Sequence, residues 1–80
     1  MKARVLVRLK PSILDAQGAT VKRALAGLGF GEVQDVRVGK VVDLELGGLA
    51  PAEARRRVDE MCARLLCNPV IEDCSVELLG

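Results

Sequence analysis

The side chains able to do chemistry in this chain are few. There is no histidine, and the three cysteines stand at positions 62, 67 and 74. Nucleophilic catalysis of the Ser-His or Cys-His kind needs an imidazole base, so that class is excluded. The cysteine spacing is not that of a CxxC pair, and three thiolates without a fourth ligand make a poor structural zinc site. Cys62 and Cys74 fall on inward-facing stripes and are expected in the core. Cys67 falls near a helix C-terminus, where the helix dipole disfavours a thiolate. The run Gly27-Leu28-Gly29-Phe30-Gly31 follows a helix instead of joining a strand to one and lacks a P-loop lysine, so it reads as a helix stop. Glu72 and Asp73 are adjacent carboxylates, but neighbours on a strand point to opposite faces and cannot share a substrate. Arg55-Arg56-Arg57 covers the outer side of a helix, as a solvated face or as a surface for an anionic partner.

Composition narrows the classes further. The 80 residues hold 12 Lys plus Arg against 11 Asp plus Glu, a net charge of +1, which gives no long-range pull toward nucleic acid or an anionic membrane. The one aromatic residue is Phe30, so no base-stacking platform can be built. No apolar run approaches the ~18 residues of a membrane span, and the charged, alternating N-terminus is not a signal peptide. With an odd cysteine count, this predicts a cytoplasmic protein in a reducing compartment. Half the residues are apolar, which excludes disorder. A chain of this length is one domain, residues 1–80, and apolar burial set against the cost of ordering the chain leaves a balance near zero or below it. Disulfides, metal or association must add to it, and the cysteine pattern leaves association.

The elements that must position these residues follow from periodicity. Ala3, Val5, Val7 and Leu9 alternate with Lys2, Arg4, Leu6, Arg8 and Lys10, predicting a first strand that Pro11 ends. Asp15 is a suitable N-cap, and Val21, Ala24, Leu25 and Leu28 form one helical stripe that Gly29 and Gly31 stop. Val33–Val38 and Val41–Leu46 alternate again, predicting a hairpin around Gly39-Lys40. Pro51 opens a second helix with a stripe of Ala54, Val58, Met61, Cys62, Leu65 and Leu66; Asn68-Pro69 ends it, and Val70–Leu79 is a last strand.

The order β-α-β-β-α-β, with short right-handed connections, predicts an α+β ferredoxin-like sandwich: a four-stranded antiparallel sheet in the order 4-1-3-2 with both helices on one face. On the other face Arg4 and Arg8 of the central strand lie opposite Asp43, Glu45, Asp73 and Glu77, which is favourable across neighbouring strands and also reads as a plain solvated face. Polar residues where a bare sandwich does not need them are Asp15-Ala16-Gln17-Gly18, whose Gly18 in the first helical turn admits a close backbone or ligand, Asn68 as a left-handed cap or a contact, and the cations Arg37 and Lys40 at the hairpin tip.

Three segments together resemble the PurS family, the small subunit of phosphoribosylformylglycinamidine synthase: Leu14-Asp15-Ala16-Gln17-Gly18, Val33-Gln34-Asp35-Val36-Arg37-Val38-Gly39-Lys40, and Met61 through Asp73 with Asn68-Pro69-Val70-Ile71-Glu72-Asp73 at its end. The resemblance runs nearly end to end. Ala16 stands where the family usually has proline and Cys74 where it commonly has an aromatic residue. The resemblance implies a non-catalytic adaptor in purine biosynthesis, a dimer or tetramer of itself, joining a glutaminase subunit to a large synthetase subunit. ATP, magnesium and glutamine would be used by those partners, with no cofactor on this chain. The candidate partner contacts are Gln17, Gly18, Arg37, Lys40, Asn68, Glu72 and Asp73. A competing resemblance is to ACT-like amino-acid-binding regulatory domains, which share the element order and an Asp-x-x-Gly such as Asp15 to Gly18.

Overall fold

A computed structural model describes residues 1–80. Three strands form one antiparallel sheet in the order β2-β1-β3, with β1 Lys2–Leu9 central, β2 Gly39–Glu45 on one side and β3 Glu72–Leu79 on the other. The neighbours of β1 are therefore the two that its charge pattern called for. Pairing sets Arg4 opposite Asp43 and Glu77, and Arg8 opposite Gly39 and Asp73. Helix α2, Pro51–Met61, begins with proline at its first position and continues into a widened π-helical turn, Cys62–Leu66, where the Cys67 N–H donates to the Cys62 carbonyl at 3.0 Å.

The core is thin because only one helix covers the sheet. Ala3, Val5 and Val7 of β1 are fully or almost fully buried against Val58 and Cys62, with Val42, Leu44, Cys74, Val76 and Leu78 packed around them. These are the alternate residues of each strand, as period-two geometry requires. Only 8 of 80 residues are buried, so each of them carries a large share of the stability. The opposite face is ionic: Arg4 Nε reaches Asp43 at 2.9 Å, Lys2 reaches Glu45 at 3.5 Å and Lys10 reaches Asp73 at 3.0 Å.

The predicted sandwich is corrected in two places. Val33–Val38 is not a strand, so the sheet has three strands instead of four and there is no hairpin at Gly39-Lys40. Both residues belong to β2, opposite Arg8 and Val7. The backbone donors of 33–38 go elsewhere: Val33 N–H to the Phe30 carbonyl at 3.3 Å, Val36 N–H to the Asp35 side chain at 2.9 Å, and Val38 N–H to Asp15 Oδ2 at 2.6 Å. Gly39 is needed because β1 passes close by, and a Cβ there would sit 2.6 Å from the Val7 carbonyl oxygen.

Helix α1, Ala16–Gly27, is the second correction. It does not join α2 over the sheet, and Gly18 is its only buried residue. The molecule extends over 49 × 26 × 14 Å with a radius of gyration of 16.0 Å, against roughly 12 Å for a compact domain of this length. Its accessible surface of 5722 Å² likewise exceeds the roughly 4,700 Å² of a compact monomer of this mass. The excess lies in α1 and the return segment after it.

One side chain holds that arm to the body. Asp15, buried at the N-cap, accepts from Gly18 N–H at 2.8 Å through Oδ1 and from Val38 N–H through Oδ2. Gly18 permits this contact, since a Cβ would meet the Val36 carbonyl oxygen at 2.3 Å; the close backbone expected at that glycine is the chain's own. The Val38 bond first, then the Gly18 bond and the nearby Arg37 charge, hold the Asp15 carboxyl below its ordinary value.

Two outcomes follow. Val58→Ala removes two buried methyl-sized groups from the thin core and lowers stability by roughly 2 kcal/mol, where Val70→Ala, at an exposed site, changes it by less than about 0.5 kcal/mol; urea denaturation measures both. The depressed carboxyl of Asp15 contributes fully above the ordinary carboxylate range near ~3.9 and loses its contribution as pH falls through the lower folded value. Amide NMR spectra on acidification show the Gly18 and Val38 resonances moving together, at a pH below that ordinary range. In Asp15→Asn, where an amide NH₂ must face one of the two backbone N–H groups, those resonances are displaced already at neutral pH.

Candidate functional site

Antiparallel pairing brings the C-terminal end of β1 beside the N-terminal ends of β2 and β3, with Arg8 opposite Gly39 and Leu9 opposite Glu72. The start of α1 is tied to the same end by Asp15 and Val38. Residues far apart in the chain therefore meet there. Gln17, Lys40 and Glu72 line one shallow recess with Leu9 and Val38, and Arg37 and Asp73 line a neighbouring one with Arg8, Asp35 and Ser75. Gly18 is buried next to the first. Asn68 joins through its N–H, which donates to Glu72 Oε1 at 2.8 Å. All seven positions named from the sequence thus belong to one end of the sheet.

Their roles differ. Lys40, Gln17 and Asp73 are exposed, and Asp73 takes Lys10 as its ion-pair partner rather than Arg8. Arg37 is engaged within the chain, where its guanidinium donates to the carbonyls of Lys10 and Ile13 at 2.9 and 3.0 Å and pins the β1-to-α1 connection. Asn68 is not a left-handed cap, because no residue other than glycine has positive φ. It organises the turn before β3 instead. Its Oδ1 accepts from Val70 N–H at 3.1 Å, and its carbonyl accepts from Ile71 N–H at 3.1 Å and Glu72 N–H at 2.7 Å.

The arrangement is a surface of mixed charge. The Arg4 hydrogen bond and charge lower the Asp43 carboxyl, and Asp43 raises the Arg4 guanidinium in return. With Asp15 also lowered, these two carboxylates stay ionised at neutral pH and are not poised for proton transfer. Burial, and then the Asp59 charge, push the Cys62 thiol up, so it is protonated and inert. Arg55, Arg56 and Arg57 pair along α2 with Asp59, Glu53 and Glu60, which supports the solvated-face reading. The Asp15 to Gly18 step, the feature shared with ACT-like domains, is engaged within the chain by the capping bonds.

Three features escaped the sequence. Cys67 and Cys74 are joined by a disulfide with Cα atoms 6.3 Å apart, a pairing absent from the reading that placed Cys74 in the core and the chain in a reducing compartment; the intervening turn, invisible to cysteine spacing, brings them together. Lys10 is an ion-pair partner. The stripe of Val21, Ala24 and Leu28 faces solvent, although its periodicity signalled only that one side of the helix is apolar.

A family model, PurS: phosphoribosylformylglycinamidine (FGAM) synthase, matches residues 2–80. The chain is 44% identical over 77 residues to the PurS subunit of phosphoribosylformylglycinamidine synthase from Bacillus subtilis, covering 96% of this chain and 90% of that one. It is 39% identical to the corresponding Methanocaldococcus jannaschii subunit, covering 96% and 93%. Among solved structures, B. subtilis PurS superposes with a TM-score of 0.88 at 43% identity, covering 99% and 98% of the two chains. A chain of the PurLQS structure from Thermotoga maritima gives 0.88 at 31% identity, covering 98% and 95%. The end-to-end match in sequence, joined to a superposition over nearly the whole chain, places this chain in the PurS family of FGAM synthase subunits.

Proposed function

We propose that this chain is the non-catalytic adaptor of phosphoribosylformylglycinamidine synthase in purine biosynthesis, acting in the cytoplasm. It joins a glutaminase subunit to a synthetase subunit and supports ammonia transfer between them. As a PurS-family member it is a subunit of phosphoribosylformylglycinamidine synthase, on this reading an ATP-dependent, glutamine-using ligase complex. The observation that carries the adaptor reading is the match over its whole fold to a chain of the PurLQS assembly. ATP, magnesium and glutamine belong to the partners' sites, and this chain contributes surface and rigidity. Ammonia passing between two separate active sites requires those sites to be held in fixed relation.

Self-association is part of the reading. Leu14 is 81% exposed and Leu28 74%, with Val21 and Phe30 also open, so the apolar side of the α1 arm has nothing to cover it within one chain. The sheet is left half-covered by α2 alone. A second copy of this chain is the occupant that satisfies both, its arm lying where α1 would lie in a closed sandwich, and the outer edges of β2 and β3 remain open for pairing across a two-fold axis.

Mixing the chain with the synthetase and glutaminase subunits tests the adaptor role: glutamine-dependent turnover requires it and ammonia-dependent turnover does not. Equal glutamine-dependent turnover without it, or turnover by this chain alone, overturns the proposal. For self-association, sedimentation equilibrium finds an oligomer that the double substitution Val21→Asp with Leu28→Asp converts to monomer. Because both positions are exposed in the single chain, the unfolding free energy changes by less than about 0.5 kcal/mol when both proteins are compared as monomers at high dilution.

A further inference from the structure

Cys67 follows the π-helical turn with extended backbone, at φ −132° and ψ 133°, and Cys74 lies in β3 opposite Val7. The bond between them spans the Asn68–Asp73 turn. That turn is closed without it. The Asn68 carbonyl receives Ile71 and Glu72, the Asn68 side chain receives Val70, and Glu72 Oε1 receives Asn68 N–H. The Cys67 sulfur also lies 3.7 Å from the Glu72 carbonyl oxygen. Hydrogen bonds and the β1·β3 ladder therefore position the two residues without calling on the bond between them. A Cα separation of 6.3 Å is within the ordinary disulfide range. Neither residue is fully buried, so a small reagent can reach the pair. The third cysteine, Cys62, is buried in the core and does not compete for exchange.

We propose that Cys67 and Cys74 are a reversible dithiol–disulfide modification site, which in its oxidised form clips the end of the second helix to β3 and fixes the Asn68–Asp73 turn. In a reducing compartment the pair rests as two thiols, the usual state of cytosolic cysteines outside redox sensing or catalysis. The oxidant is a low-molecular-weight disulfide. One cysteine thiolate attacks it, forming a mixed disulfide and expelling a small thiolate. The second cysteine thiolate then attacks the protein sulfur of that mixed disulfide, closing the Cys67–Cys74 bond and expelling the second small thiolate. The two protons lost by the cysteines go to the expelled thiolates, so the protein loses two electrons and the small disulfide gains them. A thiol reductant reverses both steps. The clipped turn carries Asn68, Glu72 and Asp73, so the oxidation state sets the mobility of three candidate contacts.

The experiment equilibrates the full chain in glutathione and glutathione-disulfide buffers of graded ratio, quenches with an alkylating reagent under denaturing conditions, and counts alkyl groups by mass spectrometry. The expected result is one group, on Cys62, under oxidising conditions and three under reducing ones, with circular dichroism unchanged and amide exchange of Val70, Ile71 and Glu72 faster in the dithiol form. Cys62→Ser keeps the loss of two alkylation sites on oxidation, and Cys67→Ser abolishes it. Three alkyl groups at every ratio overturn the proposal, as does unfolding that coincides with reduction, or an intramolecular transition that survives in Cys67→Ser. The assay uses no partner subunit, so its failure leaves the adaptor reading standing, and failure of that reading leaves this one.

Discussion

The shape of this molecule depends on one buried carboxylate. Asp15 accepts from Gly18 with one oxygen and from Val38 with the other, so it caps α1 and ties the end of the return segment to the start of that helix. Everything between, from Ala16 to Arg37, is a loop closed by that side chain and by the Arg37 bonds to the carbonyls of Lys10 and Ile13. The arm is defined at its base and open along its length. Without Gly18 the two backbones could not approach closely enough for one carboxylate to serve both.

The body obeys a different constraint. A three-stranded sheet covered by one helix buries too little to be comfortable alone, and half of its buried apolar side chains, Ala3, Val5 and Val7, come from the central strand. On the outer face, ion pairs from Lys2, Arg4 and Lys10 to both neighbouring strands match charge across the register. Each such exposed pair is worth little by itself. Together they disfavour slipped registers, which would set like charges opposite each other.

An extended chain with a thin core and an uncovered apolar arm is suited to assembly rather than to chemistry. Most of the residues a catalyst would use are committed elsewhere: carboxylates to capping, turn and ion-pair contacts, one thiol to the core, two sulfurs to a pair across a turn. What remains available, at the end of the sheet where the three strands and the base of the arm converge, is a surface of mixed charge. Membership in a family of ligase subunits and this distribution of side chains point the same way, toward a component that holds others in place.

From the sequence alone the family, the α+β class, the inner and outer residues of β1, β2 and β3, the strand neighbours of β1 and the Asp15 cap were all legible, as was the close backbone at Gly18. These depend on short-range facts: alternation, helical spacing, side-chain oxygens ahead of a helix, charges that must be matched. Tertiary structure alone decided where α1 goes, whether Val33–Val38 pairs with a strand, why Gly39 is a glycine, and that Cys67 meets Cys74. The physical reason is common to these cases. Periodicity reports that one side of an element is apolar or that a backbone is extended, but what covers that side, and which group receives each N–H, is settled by residues distant in the chain. Val33–Val38 alternates as a strand does, yet its final donor goes to a carboxylate twenty-three positions earlier, and no local pattern records that competition.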